Sequence, residues 1–114
     1  MKTFTLFFRM NITDPEAQPT PEQMQAYMTS WTAWLEDIQG QGQLAPGGHH
    51  LNLGGIVLRK GGIREEGPYA AAKESVAGYI LILAKNMDDA LRLAQACPIL
   101  DGEGTSVEVR EVAG

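Results

Sequence analysis

The sequence predicts an α+β domain of the split βαβ, ferredoxin-like kind, in which an antiparallel sheet carries two helices on one face. Three observations carry this. Apolar residues alternate near both ends of the chain, recur at spacings of three and four in two segments, and run almost unbroken from Val76 to Ala84. In chain order this reads β, α, several β, α, β, and right-handed crossovers then put both helices on the same side of the sheet.

Lys2 to Arg9 is the first strand, with Phe4, Leu6 and Phe8 on one face and Thr3, Thr5 and Phe7 on the other. Met10 to Pro19 loses that period and contains Asp14-Pro15, so it is read as a loop. Thr20-Pro21-Glu22-Gln23 then signals a helix start. Thr20 can cap, Pro21 suits the first turn, Glu22 favours the positive dipole end, and Gln23 can close a capping box. Met24, Tyr27, Met28, Trp31, Trp34, Leu35 and Ile38 form one wide apolar stripe along this helix, and Gly40 and Gly42 are placed to stop it.

The glycine pairs 47-48, 54-55 and 61-62 divide the middle into the short extended runs His49 to Leu53, Ile56 to Lys60 and Ile63 to Glu66. The last two predict a hairpin across Gly61-Gly62. After a polar loop from Gly67 to Ser75, Val76 to Ala84 is apolar on both sides, as expected of a central strand. Asn86 caps a second helix, with Met87, Ala90, Leu91, Ala94 and Cys97 expected along its buried side until Pro98 ends it. Thr105 to Val112 alternates again, with Val107 and Val109 opposed to Glu108 and Arg110.

The 114 residues fit one domain, residues 1–114, of ordinary globular composition, 44% hydrophobic and 20% charged. The net charge of −5 repels phosphate backbones, which argues against nucleic acid as a partner. Arg59, Lys60 and Arg64 are interrupted by glycines and followed by Glu65 and Glu66, so they read as solvated hairpin residues rather than a basic patch. Phe4 to Phe8 is too short for a signal peptide or membrane span, and one cysteine cannot form an internal disulfide; a cytoplasmic location with no membrane partner is expected.

Two helices cover one face of the predicted sheet and leave the other bare. A central strand apolar on both sides would then expose a hydrophobic patch, so a homodimer packed through its sheets is expected.

Adjacent His49 and His50 point to opposite faces of a strand, so at most one enters a given cleft, and two such ligands make a poor metal site. No metal or cofactor is expected. Glu66, Lys73 and Glu74 flank the Gly67-Pro68 turn, where they either serve structure alone or line a cleft able to move a proton or hold a polar ligand. Trp31 and Trp34 are read as core. Cys97, next to Pro98 at a helix C-terminus, is a poor nucleophile because the dipole there disfavours a thiolate.

Glu66-Gly67-Pro68-Tyr69, Lys73-Glu74 and Gly78-Tyr79 resemble the Asp-Gly-Pro-Phe, Lys-Glu and Gly-Gly-Tyr pattern of the DGPF branch of YCII-related proteins. The similarity extends to the helix around Trp31 and Trp34, the Gly-Gly pair before Leu51, Asp88-Asp89-Ala90, Cys97-Pro98 and Val107-Glu108-Val109-Arg110. It implies a ferredoxin-like protomer in a dimeric α/β barrel, with a cleft on the side of the sheet away from the helices. It implies no settled activity. Relatives carry a His and Asp pair suspected of catalysis, but the helix position where DGPF relatives often show that His is Trp31 here. Glu66 and Tyr69 stand in place of the motif's Asp and Phe, which keeps the carboxylate and lengthens its reach by one methylene.

The reading is therefore a small-molecule-binding or accessory domain, a homodimer whose cleft is lined by His49 or His50, Glu66, Tyr69, Lys73, Glu74, Glu108 and Arg110. The first alternative is an enzyme of proton-transfer, isomerase or lyase type, with a histidine or Glu66 as base. The second, implied by the resemblance alone, is a protein-interaction role beside extracytoplasmic sigma factors, to which some relatives are linked.

Overall fold

The computed structural model describes residues 1–11, 19–52, 54–67 and 74–114. The expected order of elements is present. Strand β1 (Lys2–Met10) is followed by helix α1 (Pro21–Gly40), β2 (Leu44–His50), a hairpin of β3 (Ile56–Arg59) and β4 (Ile63–Glu66), and β5 (Ser75–Ala84). Helix α2 (Met87–Ala94), a 3-10 turn (Pro98–Asp101) and β6 (Ser106–Glu111) complete it. The main sheet is antiparallel with order β2-β5-β1-β6, the ferredoxin-like arrangement, and β3 and β4 form a separate two-stranded sheet. The central strands are β5 and β1, as the apolar character of the former requires.

The long helix begins as its sequence predicts. Thr20 Oγ1 accepts from the Gln23 N–H at 3.2 Å, and the Gln23 side chain accepts from the Thr20 N–H at 2.9 Å, a complete capping box. Trp31, Trp34 and Ile38 are buried against Phe4, Leu6, Phe8, Ile80 and Ile82 of the sheet, with Tyr27 and Leu35 packed beside them. The apolar stripe is shorter than expected, because Met24 and Met28 are each 45% exposed where the first turns of α1 run past the packed layer.

The face of α2 also differs from expectation. Ala90, Leu93 and Ala94 are buried, while Met87 and Leu91 lie outside. Polar ties set this rotation. Asp89 Oδ2 accepts from the Lys85 N–H and from Gln43 Nε2, both at 3.0 Å, and Arg92 donates to Asp89 Oδ1 and to Gln43 Oε1. The buried Gln43 side chain also donates to the Leu83 carbonyl, so one cluster joins the start of β2, the end of β5 and α2.

These contacts hold the Asp89 carboxyl below its ordinary value of 3.8, first through the Lys85 backbone N–H and then through Arg92. A depressed carboxylate stabilises the fold above its unfolded pKa, and that stabilisation disappears as pH falls through the folded value. Melting temperature is therefore expected to drop as pH is lowered below about 4, and to drop less over the same interval in Asp89→Asn, which starts from a lower stability at pH 7. Equal acid slopes in the two proteins would remove Asp89 from this role.

The largest departure is in β2. The pair Gly47-Gly48, read from the sequence as a boundary before an extended run from His49, lies inside a strand that begins at Leu44 and ends at His50. Leu44 pairs with Ile82 and Gly48 with Ile80, so β2 spends two extra residues in a bulge. Both glycines have positive φ, 101° and 112°, which explains why a glycine pair reads as a turn yet sits within an edge strand.

Candidate functional site

The bulge brings β2 down onto β5 through two glycines. A Cβ on Gly48 would lie 2.7 Å from the Tyr79 carbonyl oxygen, and one on Gly78 would lie 2.9 Å from that of His49. This close approach fixes the direction of the two histidines. His49 pairs with Tyr79 and His50 with Gly78, so they point to opposite faces of the sheet, as their adjacency predicts.

His50 turns toward the helices. Its ring lies 6.2 Å from that of Trp31, which packs edge-on against Phe8 at 4.6 Å and Trp34 at 5.3 Å. A recess of about 110 Å³ opens here between α1 and the β2–β5 edge. Phe8, Trp31, Leu35 and Ile80 wall it and His49 and His50 stand along β2; none of its lining residues is acidic. The reading of Trp31 as core holds, since it is buried, but one side of the same indole also lines this space. Reading Trp31 as core left no sequence signal for the recess, which depends on the glycine-mediated approach of β2 to β5.

His49 belongs to the bare face. There it heads a row across the sheet, His49, Tyr79, Phe7 and Glu108, fixed by the pairings of β2 with β5, β5 with β1 and β1 with β6. Phe7, Tyr79, Leu81 and Leu83 are half-buried on that face, and no helix covers it among the described residues. Arg110, opposite Thr5, is exposed one row away.

A residue that the sequence reading passed over organises this polar edge. Arg9 donates through Nη2 to Glu108 Oε1 at 3.0 Å and through Nη1 to the Glu74 carbonyl oxygen at 2.9 Å. Glu74 is thus joined to Glu108 by way of its backbone, with Arg9 as the link. Arg9 shares the face of Phe7 and Glu108 by the alternation of β1, but its position at a strand end gave no cue to its partners.

Glu66 does not join this group in the main sheet. It ends β4 of the separate hairpin, opposite Ile56, and is exposed. Tyr69 and Lys73 lie outside the described residues. Cys97 is buried, and that burial pushes its thiol up to about 12, in keeping with an unreactive side chain. Among the described residues, no group of three or more His, Cys, Asp or Glu could hold a metal ion, and no helix is long and apolar enough to cross a membrane.

The model of the YCII-related domain matches residues 5–113 of the chain. No curated protein matches it. Among solved structures it is similar to 5-chloro-2-hydroxyhydroquinone dehydrochlorinase (TftG) from Burkholderia phenoliruptrix AC1100, in complex with 2,5-dihydroxybenzoquinone. The two are 17% identical over 97% of this chain and 95% of that one, with a TM-score of 0.42.

Proposed function

We propose, from the premise that the chain belongs to the YCII-related domain family, that it is a small-molecule-binding domain which works as a homodimer of its DGPF branch. The observation that carries the binding reading is the recess of about 110 Å³ beside Trp31 and His50. Mainly apolar walls with imidazoles along the β2 side suit a small, largely apolar molecule, or the flat end of a larger one, oriented by a hydrogen bond to His50. An imidazole acting as a general base is commonly oriented by a third group, usually a carboxylate, and the lining offers none. Binding is therefore favoured over the proton-transfer alternative.

A second copy would cover the bare face, where Phe7, Tyr79, Leu81 and Leu83 are otherwise left to water. The row His49, Tyr79, Phe7 and Glu108 favours a second reading, in which the ligand lies between the paired sheets against His49, Glu108 and Arg110. Glu66 and Glu74, with Tyr69 and Lys73 between them in sequence, would then be the further candidates for that cleft.

A thermal-shift screen of small aromatic and heterocyclic fragments tests both. A ligand at a hundred times its Kd stabilises by about 2.7 kcal/mol, well above the noise of a melt. His50→Ala is expected to weaken a confirmed hit about tenfold, the value of one hydrogen bond of roughly 1.4 kcal/mol, with Arg110→Ala unchanged. Hits that survive His50→Ala and vanish in Arg110→Ala would move the site to the inter-sheet face.

A further inference from the structure

The β3–β4 hairpin is poorly explained by the protomer alone. It forms its own two-stranded sheet, closed at one end by the Gly67 N–H to Gly55 carbonyl bond and at the other by a loop in which Gly61 and Gly62 take positive φ. Two isolated strands are marginally stable in water at best. Yet Ile56 is 68% exposed, Leu58 70% and Ile63 58%. The register puts Ile56 and Leu58 side by side on one face, opposite Glu66 and Arg64, while Ile63 shares the other with Val57 and the Arg59–Glu65 ion pair. That ion pair is half exposed and adds little to the hairpin's own stability.

We infer that this hairpin is an arm that grips a second copy of the chain, with the Ile56 and Leu58 face laid against the partner. The inference rests on the homodimer proposed above and adds the element that completes its interface. Two arguments select a second copy as the occupant. The first is area. Four strands about 4.8 Å apart, paired over about seven residues at ~3.3 Å each, present a face of only about 450 Å². A stable interface buries about 800 Å² on each partner, so the sheet face leaves room for a further contribution, and Ile56 and Leu58, 68% and 70% exposed, offer apolar surface for it.

The second argument is charge. The hairpin holds Arg59, Lys60 and Arg64, three of the nine basic residues, against only Glu65 and Glu66 of the fourteen acidic ones. Its net charge is +1, three basic less two acidic residues, on a chain whose other charges sum to −6, that is −5 less +1. Such an arm is opposite in net charge to another copy's body.

Sedimentation equilibrium over a dilution series tests the arm on the full chain. Wild type is expected to dimerise, and Ile56→Ser combined with Leu58→Ser is expected to raise the dimer Kd at least tenfold, each single change giving part of that loss. The melting temperature of the dilute monomer should not move, because both side chains are largely exposed in the protomer. Raising sodium chloride from 0.05 to 0.5 M should weaken wild-type association through screening of the arm's charge. An unchanged Kd in the double variant, together with a dimer broken by Leu81→Glu on the sheet face, overturns the arm and leaves the sheet-paired dimer standing. Loss of the dimer in the arm variant but not in Leu81→Glu supports the arm and overturns sheet pairing. A wild type that stays monomeric at every concentration overturns both.

Discussion

Gly48→Ala is expected to destabilise the protein by about 3 kcal/mol, and to lower its melting temperature by roughly 10–20 °C. Two independent penalties combine. At φ +112° an alanine adopts a backbone conformation that L side chains rarely take, and its Cβ would stand 2.7 Å from the Tyr79 carbonyl oxygen and 2.9 Å from the Ile80 Cα. Both neighbours are backbone atoms of a central strand, so relief requires β2 to leave β5. Because β2 carries both histidines, the same change should also loosen any ligand held beside His50. Gly40→Ala is the internal control. A Cβ there meets nothing within 4 Å and the residue ends a helix, so the substitution is expected to be neutral or to stabilise by about 0.5–1 kcal/mol. Urea midpoints at one protein concentration would compare the two, and a Gly48→Ala protein as stable as wild type would show that β2 does not need its bulge.

Trp34→Ala is expected to cost about 3–5 kcal/mol, the usual range for removing a buried tryptophan. Trp34 is 6% exposed and packs against Trp31 at 5.3 Å and Phe8 at 6.1 Å. Its indole N–H also donates to the Leu93 carbonyl at 3.0 Å, so it ties α1 to α2 as well as filling the core. Trp34→Phe separates these contributions. It keeps most of the packing and leaves the buried Leu93 carbonyl without its donor, for a loss of about 1–3 kcal/mol. The m-value should stay constant in both, since the surface exposed on unfolding is almost the same. Equal losses in the two variants would mean that the hydrogen bond, and not the volume, carries the effect.

Much of this architecture is legible in the sequence because it is set by local periodicity and local chemistry. The alternation in β1 and β6, the two-sided apolar run of β5 and the capping box at Thr20 and Gln23 each require only residues close together in the chain. Opposed directions for His49 and His50 follow from adjacency on a strand alone. The order of elements and handedness of crossovers then restrict the topology to one sheet with its helices on one side.

Tertiary structure decided what depends on distant segments meeting. Gly47 and Gly48 look like a turn locally, and only the approach of β5 makes them a bulge within a strand. The buried face of α2 follows from Asp89, Arg92 and Gln43, which are brought together from α2 and the start of β2. Arg9 reaches Glu108, 99 residues away, and the Glu74 backbone only once three strands lie in register. The recess beside Trp31 exists because glycines let two backbones close to van der Waals contact, while the indole faces the histidine of a strand that follows its own helix. Periodicity records which side of an element is apolar; it holds no information on which other element will occupy that side, because that is a property of packing between segments far apart in the chain.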